Sequence, residues 1–124
     1  MRDFHELKVW EKSHALTLAV YQATRTFPKD EMYGVTAQIR RAAASIPANL
    51  AEGCGRDGDA ELGRFCQIAM GSANELEYHL VLCHDLLYLD QPTFDQLLLQ
   101  TIEVKRMLSS FIRAVKPKSR MLSS

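Results

Sequence analysis

The stretch 38–56, QIRRAAASIPANLAEGCGR, constrains this chain more than any other part of it. Wound at 3.6 residues per turn, its side chains sort into three stripes. Ile39, Ala43, Ile46, Leu50 and Cys54 form an unbroken apolar seam. Gln38, Arg41, Ser45, Asn49 and Glu52 form a polar stripe beside it. The third side carries Arg40 and then Ala44, Pro47, Ala48 and Ala51, where a surface helix would normally carry Lys and Glu. A helix with small residues on that side is built for close packing on more than one flank. Pro47 falls inside this helix and costs about 3 kcal/mol there, through a lost hydrogen bond and crowding of the previous turn. The apolar seam nevertheless continues in register on both sides of it, so the helix is expected to persist with a kink, the Ser45 hydroxyl taking up part of the freed hydrogen-bonding capacity.

The rest of the chain reads as three further helices. Over residues 7–27, Leu7, Trp10, His14, Thr17, Leu18 and Tyr21 share one side, and Val9, Leu16, Val20 and Phe27 widen the apolar arc. Pro28 breaks this helix and Gly34 permits a second bend. Gly53, Gly55 and Gly58 mark the end of the central helix, with Asp57 or Asp59 as the next N-cap. From 59 to 89, Leu62, Phe65, Cys66, Ala69, Ala73, Leu76, Leu80, Cys83 and Leu87 step by threes and fours. Pro92 suits the first turn of a fourth helix, whose seam runs from Phe94 to Val115. No segment alternates with the period of a strand. The expectation is an all-α, antiparallel, up-down-up-down four-helix bundle over 1–116, followed by a short basic, disordered tail over 117–124. The pentapeptide RMLSS occurs at 106–110 and again at 120–124, too short to be a structural repeat.

Charge and cysteine content narrow the function. Fifteen basic and fifteen acidic residues cancel, against the basic excess usual in a dedicated non-specific nucleic-acid binder. No apolar run approaches the roughly 20 residues of a membrane span, and the N-terminus lacks the apolar centre of a signal peptide, so no membrane partner and a cytoplasmic location are expected. Three cysteines without a C-x-x-C pair suggest neither a disulfide framework nor a zinc ribbon.

Candidate chemistry is sparse. His79 and Cys83 are spaced to share a metal, yet no second pair faces them. His14, inside the first helix's apolar arc, reads as a hydrogen-bonded core histidine. Glu52, Glu75 and Glu77 lack the Glu-x-x-His pairs of bundle di-metal sites. No catalytic residue, cofactor or metal is expected. Ser45, Asn49 and Glu52 read as a hydrogen-bonded network, within the bundle or between subunits, with Arg41 or Arg64 as the cation and Ser72 or Glu75 closing it. Arg40, Arg41, Arg56 and the tail residues Lys116, Lys118 and Arg120 are the basic groupings. Repeated around an oligomer, Arg40, Arg41 or Arg56 would make a ring able to contact RNA or DNA phosphates. The apolar surface on the first three helices exceeds what one bundle buries, which favours a homo-oligomer.

Three segments, FHELKVWEKSHAL, FPKDEMYGVTAQIRRAAASIPANLAEGCGR and RFCQIAMGSANELEYHL, resemble the bacterial 23S rRNA intervening-sequence protein family, also called the four helix bundle protein family. The likeness runs from about Phe4 to Val115, with Cys54-Gly55 in place of the family's usual phenylalanine-glycine. It implies a four-helix bundle assembled as a homopentamer, and a link to reading frames inside rRNA gene insertions. The accessory variability protein of diversity-generating retroelements is a similar, more basic pentameric bundle that engages nucleic acid and a reverse transcriptase.

Overall fold

The structure, a computed structural model, describes residues 2–115. The expected tail, with Lys116, Lys118 and Arg120, lies outside the described residues. Four helices account for most of the rest: α1 (Lys8–Ala23), α2 (Val35–Cys54), α3 (Asp59–Asp85) and α4 (Gln91–Ala114). Three single 3-10 turns precede α1 or bridge α1 and α2, and no strand occurs among the described residues.

Cross-helix pairings give the topology. Thr17 meets Ala43 and Thr24 meets Arg40, so α1 and α2 run in opposite directions. Ser45 meets Ser72 and Arg41 meets Glu75, which makes α2 and α3 antiparallel. Glu77 meets Lys105 while Gly63 lies beside Val115, and Lys12 meets Glu103. The bundle is therefore up-down-up-down. Its core holds Leu16, Val20, Ile39, Ile46, Leu50, Leu76, Leu80, Val104 and Leu108, each essentially inaccessible to water. The seams of α2 and α4 deduced from periodicity match this core.

α2 contains Pro47 without interruption. A proline at 47 supplies no N–H to the carbonyl of Ala43, four residues back. The structure fills that vacancy from outside the helix: the Thr17 hydroxyl of α1 lies 3.0 Å from the Ala43 oxygen and 2.9 Å from the Ser13 oxygen of its own helix. Its one proton is shared between the two carbonyls. The donor is thus Thr17 and not Ser45, whose hydroxyl is turned toward α3 instead. An intrahelical bond lost to proline becomes an interhelical bond that pins α1 against α2.

Several boundaries differ from the sequence reading. α1 stops at Ala23 and continues only as a 3-10 turn, Thr24–Thr26. Gly55 caps the end of α2 as expected, whereas Gly53 lies inside the helix, where a Cβ would come within 2.8 Å of the Phe65 Cβ. This glycine lets α2 and α3 approach each other. The cap of α3 is Gly58 at φ +85°, and neither Asp57 nor Asp59 caps the helix. α4 is capped by the Asp90 carboxylate, which accepts from the Thr93 N–H at 2.9 Å.

The end of α3 is the least ordinary feature. The helix closes at Asp85, four residues short of Leu89, in a Schellman arrangement: Tyr88 N–H reaches the Cys83 oxygen and Leu87 N–H reaches the His84 oxygen. The left-handed position, normally glycine, is Leu87 at φ +66°. Its place in the apolar seam was misleading, for its side chain is almost wholly exposed.

Two outcomes follow for stability, measured by urea unfolding at fixed protein concentration. Thr17→Val orphans the buried Ala43 carbonyl and should cost about 1–3 kcal/mol. In a Pro47→Ala background, where residue 47 supplies the missing N–H, the same change should cost about 1 kcal/mol less; equal costs would separate the threonine from the proline. Leu87→Gly removes the left-handed strain and should raise stability by about 1 kcal/mol.

Candidate functional site

The outer surface of α2 is the part of the molecule the sequence singled out, and the structure flanks it with two different grooves. At 100° per residue, turning Thr17 toward α2 swings its neighbours on the same side of α1 to the rim of the α1–α2 groove. Those neighbours are Trp10, His14, Leu18 and Tyr21. Leu18 is 58% exposed and Tyr21 43%, while Trp10 is half-buried. His14 is exposed and stacks flat on the Trp10 ring, with centroids 5.0 Å apart and planes 9° apart. It is not the core histidine that the apolar arc suggested; Ser13 occupies the buried position instead, donating to the Trp10 oxygen. Phe4 and His5 extend the aromatic row beyond Trp10.

Beside this row lie the small residues of α2. Pro47 is buried under α1, Ala44 and Ala51 are half-buried, and Ala48 is exposed at the crest. A bare crest of alanine between two grooves lets another backbone come close, since no long side chain holds it off.

On the α3 side, part of the expected polar network forms. The Ser45 and Ser72 hydroxyls are 2.8 Å apart, and the Asn49 amide donates to both the Ser45 hydroxyl (2.9 Å) and the Ser45 carbonyl (2.8 Å). Glu75 lies on the same seam, 3.8 Å from Arg41 and 3.4 Å from His79 Nε2. Glu52 does not join them: it pairs with Arg56 one turn on, at 3.5 Å. Arg64 turns away to Glu61 at 3.0 Å, so Arg41 is the cation beside the stripe.

The three arginines proposed for phosphate contact are each engaged within the chain. Arg40 donates to the Thr24 hydroxyl at 2.8 Å and lies over the Tyr21 ring. Arg41 faces Glu75, and Arg56 combines Glu52 with the face of Phe65. Arg41 lies within α2 and Arg56 just beyond its C-terminal end, so the two stand at different heights on the bundle.

Reactive groups are withdrawn from the surface. Cys54, Cys66 and Cys83 are free and buried. Burial pushes the Cys66 and Cys83 thiols up to about 11 and raises Cys54 as well. At neutral pH these thiols stay protonated and are poor nucleophiles. His79 is buried with Nδ1 unpartnered among the described residues. Its other nitrogen addresses Glu75, while Cys83 sits in the core. No three His, Cys, Asp or Glu side chains gather as metal ligands among the described residues. No described helix is long and apolar enough to cross a membrane.

Sequence reasoning missed Thr17 as the partner of the proline and Tyr21 as the platform for Arg40. Only the pairing of α1 with α2 brings either about, and residues 17 and 43 carry no local signal of it.

Comparison with known proteins gives one consistent result. A family model described as the 23S rRNA-intervening sequence protein matches residues 5–110. A crystal structure from Bacteroides thetaiotaomicron, described as a protein with unknown function from the S23 ribosomal protein family, superposes with a TM-score of 0.77 at 25% identity. The match covers 85% of this chain and 95% of that one. No curated protein matches the chain.

Thiol reactivity checks the interior of this site. With Ellman's reagent near pH 8, the folded protein should react slowly, and guanidinium should release three fast thiols. A thiol that is fast in the folded state would contradict the burial described.

Proposed function

The chain belongs to the 23S rRNA-intervening sequence protein family, and on that footing we propose that it is a non-enzymatic, cytoplasmic, homo-oligomeric scaffold whose subunits meet across the outer face of α2. One observation carries the reading. The row of exposed His14, Leu18 and Tyr21 with half-buried Trp10 runs beside half-buried Ala44 and Ala51 and exposed Ala48. Large apolar groups next to a surface without side-chain bulk suit docking of a like helix pair: the aromatic row of one subunit covers the small residues of the next. Such a contact joins two different patches, so it closes into a ring when the rotation per subunit allows. A ring of five is the stoichiometry that the family resemblance implies. The ring would present each surface several times over, which strengthens weak contacts with a partner.

The hydrogen-bonded Ser45–Ser72–Asn49 group supports the same reading. Its hydroxyls and the Asn49 amide nitrogen are hydrogen-bonded within the subunit, so covering them leaves those groups paired. Contact with RNA or DNA through Arg40, Arg41 and Arg56 is the competing reading. It would have to draw on guanidinium groups already held by Thr24, Glu75, Glu52 and two aromatic rings.

Light scattering at micromolar concentration tests the proposal. The wild-type chain should have a mass several times that of one subunit. Leu18→Glu and Ala48→Glu should each reduce it to that of a smaller species with the helical circular dichroism unchanged, since both side chains are exposed in the single bundle. A wild-type monomer, or two variants of unchanged mass, would remove the proposal.

A further inference from the structure

The end of the bundle that carries the α1–α2 and α3–α4 connections exposes apolar residues with no structural use. The two connections are joined there: the Tyr88 hydroxyl donates to Glu31 Oε2 at 3.0 Å, and the Tyr88 and Phe27 rings lie 5.4 Å apart. Around this junction Tyr33 is 93% exposed and Leu87 is 88% exposed, with Met32 and Leu86 about half so. Leu87 is the telling member. It holds a left-handed backbone conformation that glycine would take without strain, and it does so while presenting its side chain to water. A residue that costs stability twice and supports no packing is placed for contact with something else.

Charge indicates what that something is. Asp30, Glu31, Asp85 and Asp90 border the apolar group, against Arg25 and Lys29, so the end is acidic although the chain is neutral. The opposite character occurs in KPKSRMLSS after Val115, where Lys116, Lys118 and Arg120 precede Met121 and Leu122; the related KRMLSS of 105–110 is committed to α4, with Leu108 buried. This segment departs from the far end of α4. Leu122 is seven residues beyond Val115, a reach of at most about 25 Å. α4 has 24 residues, about 36 Å at 1.5 Å per residue. The segment therefore cannot reach the acidic end of its own subunit.

We propose that this acidic, apolar end is a docking site for the basic, apolar segment 116–124 of a second copy of the chain. Lys116, Lys118 and Arg120 face the carboxylates, while Met121 and Leu122 cover Leu87 and Tyr33. The contact is head to tail. It is separate from the α2 face and links finished oligomers to one another in a concentration- and salt-dependent way.

The test uses the full chain and a fluorescein-labelled synthetic peptide, KPKSRMLSS, followed by anisotropy at low salt. Saturable binding is expected, weakened about tenfold or more by Leu87→Gly and by Tyr33→Ala, and weakened again by salt. A peptide with Lys116, Lys118 and Arg120 replaced by Gln should bind at least about tenfold less well. Thermal unfolding of Leu87→Gly, at or above the wild-type midpoint, verifies that lost binding is not lost folding. Absence of saturable binding to the wild type overturns the assignment and passes the patch to a foreign partner. So does binding indifferent to both substitutions, or to the loss of the three cations. Light scattering on Leu18→Glu separates this result from the α2-face reading, because that residue lies outside the acidic end.

Discussion

The Ala43 carbonyl is the group on which this structure turns. Pro47 deprives it of its helical partner, and a buried carbonyl without a donor is costly. The Thr17 hydroxyl supplies the donor at 3.0 Å. Because that donor is on another helix, satisfying the carbonyl fixes the height of α1 along α2 and also its rotation. Once Thr17 points inward at α2, Leu16, Val20 and Thr24 fall into the interior, and Trp10, His14, Leu18 and Tyr21 go to the rim. The exposed aromatic row is thus a geometric consequence of the proline. Arg40, tied to Thr24 and lying over Tyr21, holds the same pair of helices at their other end.

The opposite flank of α2 is organised by small size. Gly53 faces Phe65 and Leu62 at a distance that admits no Cβ. Ala42, Ala69 and Ala73 are wholly buried nearby along the bundle. Close helices leave little room for long polar side chains between them, so the groups that remain are hydroxyls and one amide, bonded to one another. The longer charged groups, Arg41, Glu52 and Glu75, stay at the margin with their partners. α2 therefore presents a crest low in bulk and in unmet hydrogen bonds, the two properties that make a helix face suitable for covering.

Under the proposed reading, the surfaces do the work. Thiols are buried and protonated, Arg40, Arg41 and Arg56 each have a partner within the chain, and His79 lies beside Glu75 in the α2–α3 seam. The conspicuous departures from economy are an apolar row beside alanines and a strained, exposed leucine at the connecting end. Both are expensive to leave in water, and both point outward from a bundle that is otherwise well packed. The family match and the Bacteroides structure, itself of unknown function, share this bundle.

Periodicity was enough to read the class of fold, because burial imposes a spacing of three and four on any helix that packs one face. The seams of α2 and α4 were legible for that reason, as was the proline at the start of α4. Chain ends of helices were not: Leu87 sits in phase with the α3 seam, and nothing in its identity betrays a left-handed turn. The polar stripe was recognised as a group, but its division into Ser45–Ser72–Asn49, Arg41–Glu75–His79 and Glu52–Arg56 depended on side-chain reach. His14 shows the same limit, since a position within an apolar arc does not say which edge of the arc faces the neighbour. What the order of residues determined alone is the set of helices, their apolar faces and the unusual bareness of α2, all of which are local and repeat with the helical turn. Tertiary structure alone decided which hydroxyl answers Pro47, which edge of α1 is left outside and which end of the bundle is acidic. Those depend on the relative height and rotation of helices distant in the chain, and such quantities leave no trace in local spacing.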